Sequence, residues 1–108
     1  MFKFENKQVL VIGLGGRGQA ACELLRRFEA RVVGVDCRDT EELRATAERL
    51  RGLGVEVALG ATRPSRGEFS LAVVGPAVPA NSPLVQAVKA SGVPVVSAQL
   101  RRASGPTR

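Results

Sequence analysis

Bare backbone N–H groups, two arginines and one aspartate make up the chemistry that this sequence offers. The run Gly13-Leu14-Gly15-Gly16-Arg17-Gly18 follows an apolar stretch and opens an alanine-rich one, so a glycine turn leads from a strand into a helix. The first N–H groups of a helix lack partners within it and carry roughly half a positive charge, which suits a phosphate. In that reading Gly13 lets the chain turn off the strand, Gly15 lets a pyrophosphate come close to backbone, and Gly18 lets the helix pack tightly on the sheet. Asp36 follows at nearly the spacing, about 20 residues, of an acid that meets a ribose. A carboxylate there can accept hydrogen bonds from a nucleotide's hydroxyl or ring N–H. Arg17 and Arg38 supply cations that grip phosphate oxygens. The same residues could form an ordinary strand-to-helix turn and a turn-starting Asp, but the strand before and the helix after favour the phosphate site.

Other chemistries are poorly served. The chain has no His, which removes the commonest general base and metal ligand. The acids fall on helix surfaces and strand ends without metal-ligand spacing, so no metal site is expected. Ser65, Ser70, Ser82, Ser91, Ser97 and Ser104 lack a nucleophile-elbow context, and no catalytic residue is assigned. Cys22 and Cys37 fit neither a metal pair nor a secreted disulfide framework. With no signal peptide or long apolar span, they point to reduced thiols in a cytoplasmic protein away from the membrane. The net charge of +6 raises a nucleic-acid partner, but the arginines are scattered and neither Trp nor Tyr is present. A solvated basic surface is the better account, with no nucleic acid expected.

These residues need a scaffold, and 108 residues provide one domain. Gln8 to Ile12 is too apolar for a half-exposed strand and belongs at the centre of a parallel sheet. Over residues 17–29, Ala20, Ala21, Leu24, Leu25 and Phe28 recur at helical spacing as the inward stripe. Residues 32–35 form a second buried strand ending on Asp36. Asp39 is placed to cap a second helix, with Glu42 three residues on and Leu43, Ala47 and Leu50 inward. Gly52 and Gly54 end that helix. Residues 55–59 alternate as an edge strand, and 60–68 form a mobile loop in place of a crossover helix.

A fourth strand over 69–74 runs into Gly75-Pro76-Ala77-Val78-Pro79, a turn stiffened by proline. Ser82 caps a helix with Pro83 at its first position, Leu84, Val85 and Val88 inward and Gly92 closing it. Residues 93–97 make a fifth strand, which completes a domain over 1–100, and 101–108 read as a tail or linker. Alternating strands and helices with right-handed crossovers give an α/β, Rossmann-like three-layer domain, its five-stranded parallel sheet most simply in the order 3-2-1-4-5. Ligands of such sheets bind beyond the strands' carboxyl ends where the order reverses. The turns after strands one, two and four converge there. A nucleotide-binding module follows, and a nicotinamide-binding regulatory or dehydrogenase module remains an alternative on the glycine turn and Asp36.

The ordered motifs resemble the amino-terminal domain of the Mur ligases of peptidoglycan synthesis, over almost the whole chain. Gly13-Leu14-Gly15-Gly16-Arg17-Gly18 is similar to the family's first glycine turn, Asp36-Cys37-Arg38 to its Asp-x-Arg, and Gly75-Pro76-Ala77-Val78-Pro79 to its Ser-Pro-Gly-Ile-Pro turn. Asn81-Ser82-Pro83-Leu84 through Gly92-Val93-Pro94-Val95 follows the succeeding helix and strand. Gly75 and Ala77 depart from the usual Ser and Gly, and Val96-Ser97-Ala98-Gln99-Leu100 replaces a Gly-Glu-Ile-Glu-Leu type segment. The resemblance implies a domain that binds the UDP end of a UDP-muramoyl substrate and is inactive alone. It places Gly16 and Arg17 at the diphosphate, with Gly15 beside them in the UDP site, Asp36, Cys37 and Arg38 at the uridine, and Gly75, Pro76 and Ala77 on the opposite wall. The Asp-x-Arg favours the D-glutamate-adding branch, whose substrate is UDP-N-acetylmuramoyl-L-alanine, over the L-alanine-adding one. No cofactor is implied for this domain. ATP and Mg, with the central and C-terminal ligase domains, are implied for a longer parent, since no G-x-x-G-K-[ST] loop occurs here.

Overall fold

Every residue of β1 (Gln8–Ile12) after the first is buried, because the strand lies mid-sheet between two helical layers. Val9 and Val11 meet Cys22, Leu25, Leu43 and Leu50 on one face. Leu10 and Ile12 meet Leu84, Val85 and Val88 on the other. Burial on both faces is why the strand reads as a continuous apolar run. The computed structural model describes residues 6–64 and 67–98.

The remaining elements are α1 (Gly16–Arg27), β2 (Arg31–Asp36), α2 (Glu41–Gly52), β3 (Glu56–Leu59), β4 (Leu71–Val74), α3 (Pro83–Ala90) and β5 (Val95–Ser97). All strand pairs are parallel, and the order β3-β2-β1-β4-β5 is the expected one. The sequence reverses direction across the sheet between β1 and β4, so a crevice opens there at the carboxyl edge. Among the described residues no helix lies between β3 and β4. Ala61 and Phe69 pack instead on the α3 face of the sheet, and residues 65–66 of the expected loop lie outside the described residues. The expected tail over 101–108 also lies outside them.

Several local expectations are corrected. The inward face of α1 is Gly18, Cys22 and Leu25, whereas Leu24 is 51% exposed and Ala20 faces water. The close seat of Gly18 on the preceding turn sets the helix's rotation, leaving Ala21 and Phe28 half-buried. Helix α1 also stops at Arg27, and Glu29 takes a left-handed conformation with φ 64°. Thr40, not Asp39, caps α2. Thr40 is extended and its Oγ1 accepts from the Leu43 N–H, while the Asp39 carboxylate accepts from Arg44 Nε at 2.8 Å. Strands β3, β4 and β5 each start one or two residues later than the apolar pattern suggests, because apolar residues beside a strand are buried without joining its ladder. Val55, only 2% exposed just before β3, is an example.

Candidate functional site

The end of β1 is stitched to its neighbours by backbone bonds. Gly13 N–H donates to the Val35 carbonyl at 2.8 Å, and Gly75 N–H donates to the Ile12 carbonyl at 2.8 Å. Gly13 has φ +91°, and a Cβ there would lie 2.5 Å from Val78 Cγ2. The turn after β4 thus folds over the turn after β1, and only glycine allows both the backbone angle and the contact.

Helix α1 then begins with Gly15 as an uncapped N-cap and no acidic residue in its first turn. Added Cβ atoms at Gly15 and Gly16 would meet nothing within 4 Å. The N–H groups at this helix start have neither a side-chain cap nor a neutralising acid, and Gly15, Gly16 and Arg17 border a cleft, the arrangement in which an anion is bound most readily.

At the end of β2 the Asp36 carboxylate is 3% exposed. Its Oδ2 accepts from the Leu14 N–H at 2.8 Å and from Arg38 Nη2 at 2.9 Å. Its Oδ1 accepts from the Arg38 N–H at 2.9 Å and Arg38 Nε at 3.0 Å. Burial alone would push this carboxyl's pKa up, but hydrogen bonds from Arg38 and from the Leu14 and Arg38 amides hold it below the usual carboxylate range. The partner guanidinium is raised by the same pairing. Because the folded state depresses the Asp36 pKa, its stabilisation is fully present above the unfolded carboxylate value of about 3.9 and is lost as pH falls through the folded value. Urea midpoints are expected to drop between pH 6 and pH 3, with a shallower acid limb in Asp36→Asn. Identical acid limbs would remove Asp36 from that account.

The turns after β1, β2 and β4 line one cleft of about 460 Å³, within the range of ligand pockets. Gly13, Gly15, Gly16, Arg17 and Gly18 form one side, and Asp36, Cys37 and Arg38 the second. Gly75, Pro76 and Ala77 close the third, so the cleft gathers every residue expected from sequence. Ala61 and Thr62 join it from the loop after β3, pinned there because Ala61 N–H donates to the Asp36 carbonyl and Gly60 N–H to the Arg38 carbonyl. Sequence reading missed them, although the loop after any parallel strand beside the crevice shares its carboxyl edge. Val78, Pro79 and Leu84 add apolar wall, and Ser82 lies beside them with its hydroxyl capping α3 at Val85 N–H, 3.2 Å away.

The lining has two arginines against one carboxylate, and that carboxylate is already paired. Cys37 is exposed at the rim, whereas Cys22 is buried. Burial pushes the Cys22 thiol up to about 12, so it packs as a small apolar side chain. Among the described residues no group of three or more His, Cys, Asp or Glu side chains could hold a metal. No helix among them is long and apolar enough to cross a membrane. Toward an anion the cleft presents the amides at the start of α1 and the side chains of Arg17 and Arg38.

Residues 7–97 match the family described as Mur ligase MurD-like, N-terminal domain. Three relatives carry the name UDP-N-acetylmuramoylalanine--D-glutamate ligase. One from Frankia casuarinae is 40% identical over 81% of this chain and 18% of its own length. One from Myxococcus xanthus is 40% identical over 83% and 20%, and one from Gloeobacter violaceus is 43% identical over 81% and 20%. The chain spans about a fifth of the length of these relatives.

Proposed function

The chain belongs to the MurD-like N-terminal domain family of the Mur ligases, and from that premise we propose that its cleft holds the UDP end of UDP-N-acetylmuramoyl-L-alanine. The diphosphate lies against the α1 start, where Gly15, Gly16 and Arg17 offer N–H groups and a guanidinium. The uridine lies toward Asp36, Cys37 and Arg38, and Gly75, Pro76 and Ala77 form the facing wall. The observation that carries this reading is the convergence of these three turns on one cleft, with unpartnered helix-start amides on one side and Arg38 on the other. Binding energy spent here on the nucleotide end would orient the muramoyl-alanine end for a reaction elsewhere.

Amide formation with D-glutamate, and the ATP and Mg it consumes, are assigned to central and C-terminal ligase domains of a longer parent. The domain alone is inactive in this proposal and works in the cytoplasm. Neither the nicotinamide-module reading nor the L-alanine-adding ligase is favoured by the relatives, whose names specify D-glutamate. Titrating the chain with UDP while recording amide NMR spectra is expected to move the signals of residues 15–17 and 36–38. NAD is expected to leave them in place. Unmoved signals at millimolar UDP, or larger shifts with NAD, would refute the proposal.

A further inference from the structure

A ribose-binding acid must have a free lone pair facing its ligand. A carboxylate offers about four acceptor positions, and in Asp36 four protein donors occupy them: the amides of Leu14 and Arg38, with Arg38 Nε and Nη2. The side chain of Asp36 is 3% exposed while that of Arg38 is 58% exposed, so the guanidinium lies between the carboxylate and the solvent of the cleft. Its side-on grip leaves the other terminal nitrogen and the planar face available. The Leu14 bond reaches across to the glycine turn, so one buried carboxylate ties the phosphate side of the cleft to its nucleoside side.

We infer that Asp36 is a positioning residue that takes no bond from the nucleotide and acts by fixing the Arg38 guanidinium and the Leu14 amide. This deepens the uridine diphosphate reading and rests on it for the identity of the ligand. The nucleoside then meets a rigid cation, suited to a base's carbonyl oxygens or its π face. A ribose diol seeking a free carboxylate finds none at this strand end, so the cleft discriminates against dinucleotides that depend on one. Holding the guanidinium in place before binding also spares the ligand the cost of ordering a long side chain.

The first test needs no ligand. In Asp36→Asn the Leu14 amide is expected to lose hydrogen-exchange protection and the Arg38 Nε–H signal to broaden into solvent exchange. Wild-type behaviour of both would overturn the inference. The second is a double-mutant cycle on UDP affinity with Asp36→Asn and Arg38→Ala. Each single change is expected to weaken binding about 10-fold, and the pair little more than either alone, as for residues acting as one unit. Losses that multiply to about 100-fold would show Asp36 touching the ligand independently. Should Asp36→Asn fail to fold, Arg38→Lys answers the same question, since an ammonium cannot bridge both carboxylate oxygens. Loss of affinity supports positioning, and unchanged or tighter binding by a freed Asp36 overturns it. If wild-type protein does not bind UDP, the ligand assignment fails while the exchange measurements still decide what Asp36 does.

Discussion

Gly18→Ala is expected to cost about 3–5 kcal/mol of folding stability, the range reached by severe overpacking against a rigid neighbour. An added Cβ would lie 1.8 Å from the Gly13 carbonyl oxygen and 2.9 Å from its carbon. Both are backbone atoms, so no rotamer change relieves the overlap. Either α1 lifts from the sheet, unpacking Cys22 and Leu25, or the glycine turn opens and loses the Gly13-to-Val35 and Leu14-to-Asp36 bonds. Small domains have about 5–15 kcal/mol in total, so much of the molecule's stability depends on one missing methyl. Gly16→Ala two residues earlier is the control, because its Cβ would meet nothing within 4 Å. That change is expected to stay within about 1 kcal/mol of wild type and to lean stabilising, since alanine loses less entropy in a helix. Urea denaturation of both variants checks the pair; a Gly18→Ala protein as stable as Gly16→Ala would mean that the α1–turn contact is not as close as described.

That contact also shows where sequence was sufficient and where it was not. The strand order, the glycine turn and the meeting of three turns were legible because β1 is apolar at both parities and because the carboxyl-edge rule follows from topology alone. The rotation of α1 was not. Apolar residues at 20, 21, 24, 25 and 28 and small or apolar ones at 18, 22 and 25 both satisfy a 3.6-residue period, and the phase is decided by Gly18 seating on the Gly13 carbonyl. Asp39 and Thr40 are both good caps, and the extended ψ of 164° at Thr40 selects between them. Asp36 was legible by spacing as a residue of the crevice, but not as a saturated one, because the Leu14 amide that binds it lies 22 positions away in sequence. Thr62 entered the cleft without a motif, carried by backbone bonds that no residue type announces.

Arg17→Glu is expected to separate stability from binding with opposite signs. Arg17 stands in the first turn of α1, which contains no acid, and its side chain makes no hydrogen bond or ion pair among the described residues. A glutamate there faces the positive end of the helix dipole and is expected to raise stability by about 0.3–1 kcal/mol. The same change replaces a cation by an anion at the proposed diphosphate site, a reversal expected to weaken UDP binding by about 30–100-fold, or roughly 2–3 kcal/mol. Arg17→Gln, which removes charge without reversing it, should fall between. Because the cleft is open to solvent, rising salt should narrow the gap between wild type and Arg17→Glu as the Debye length shortens. Thermal unfolding and UDP titrations at two salt concentrations measure both signs on one protein. A more stable Arg17→Glu that still bound UDP as tightly as wild type would move the diphosphate away from the start of α1. It would leave Arg38 and the turn after β4 to account for the cleft.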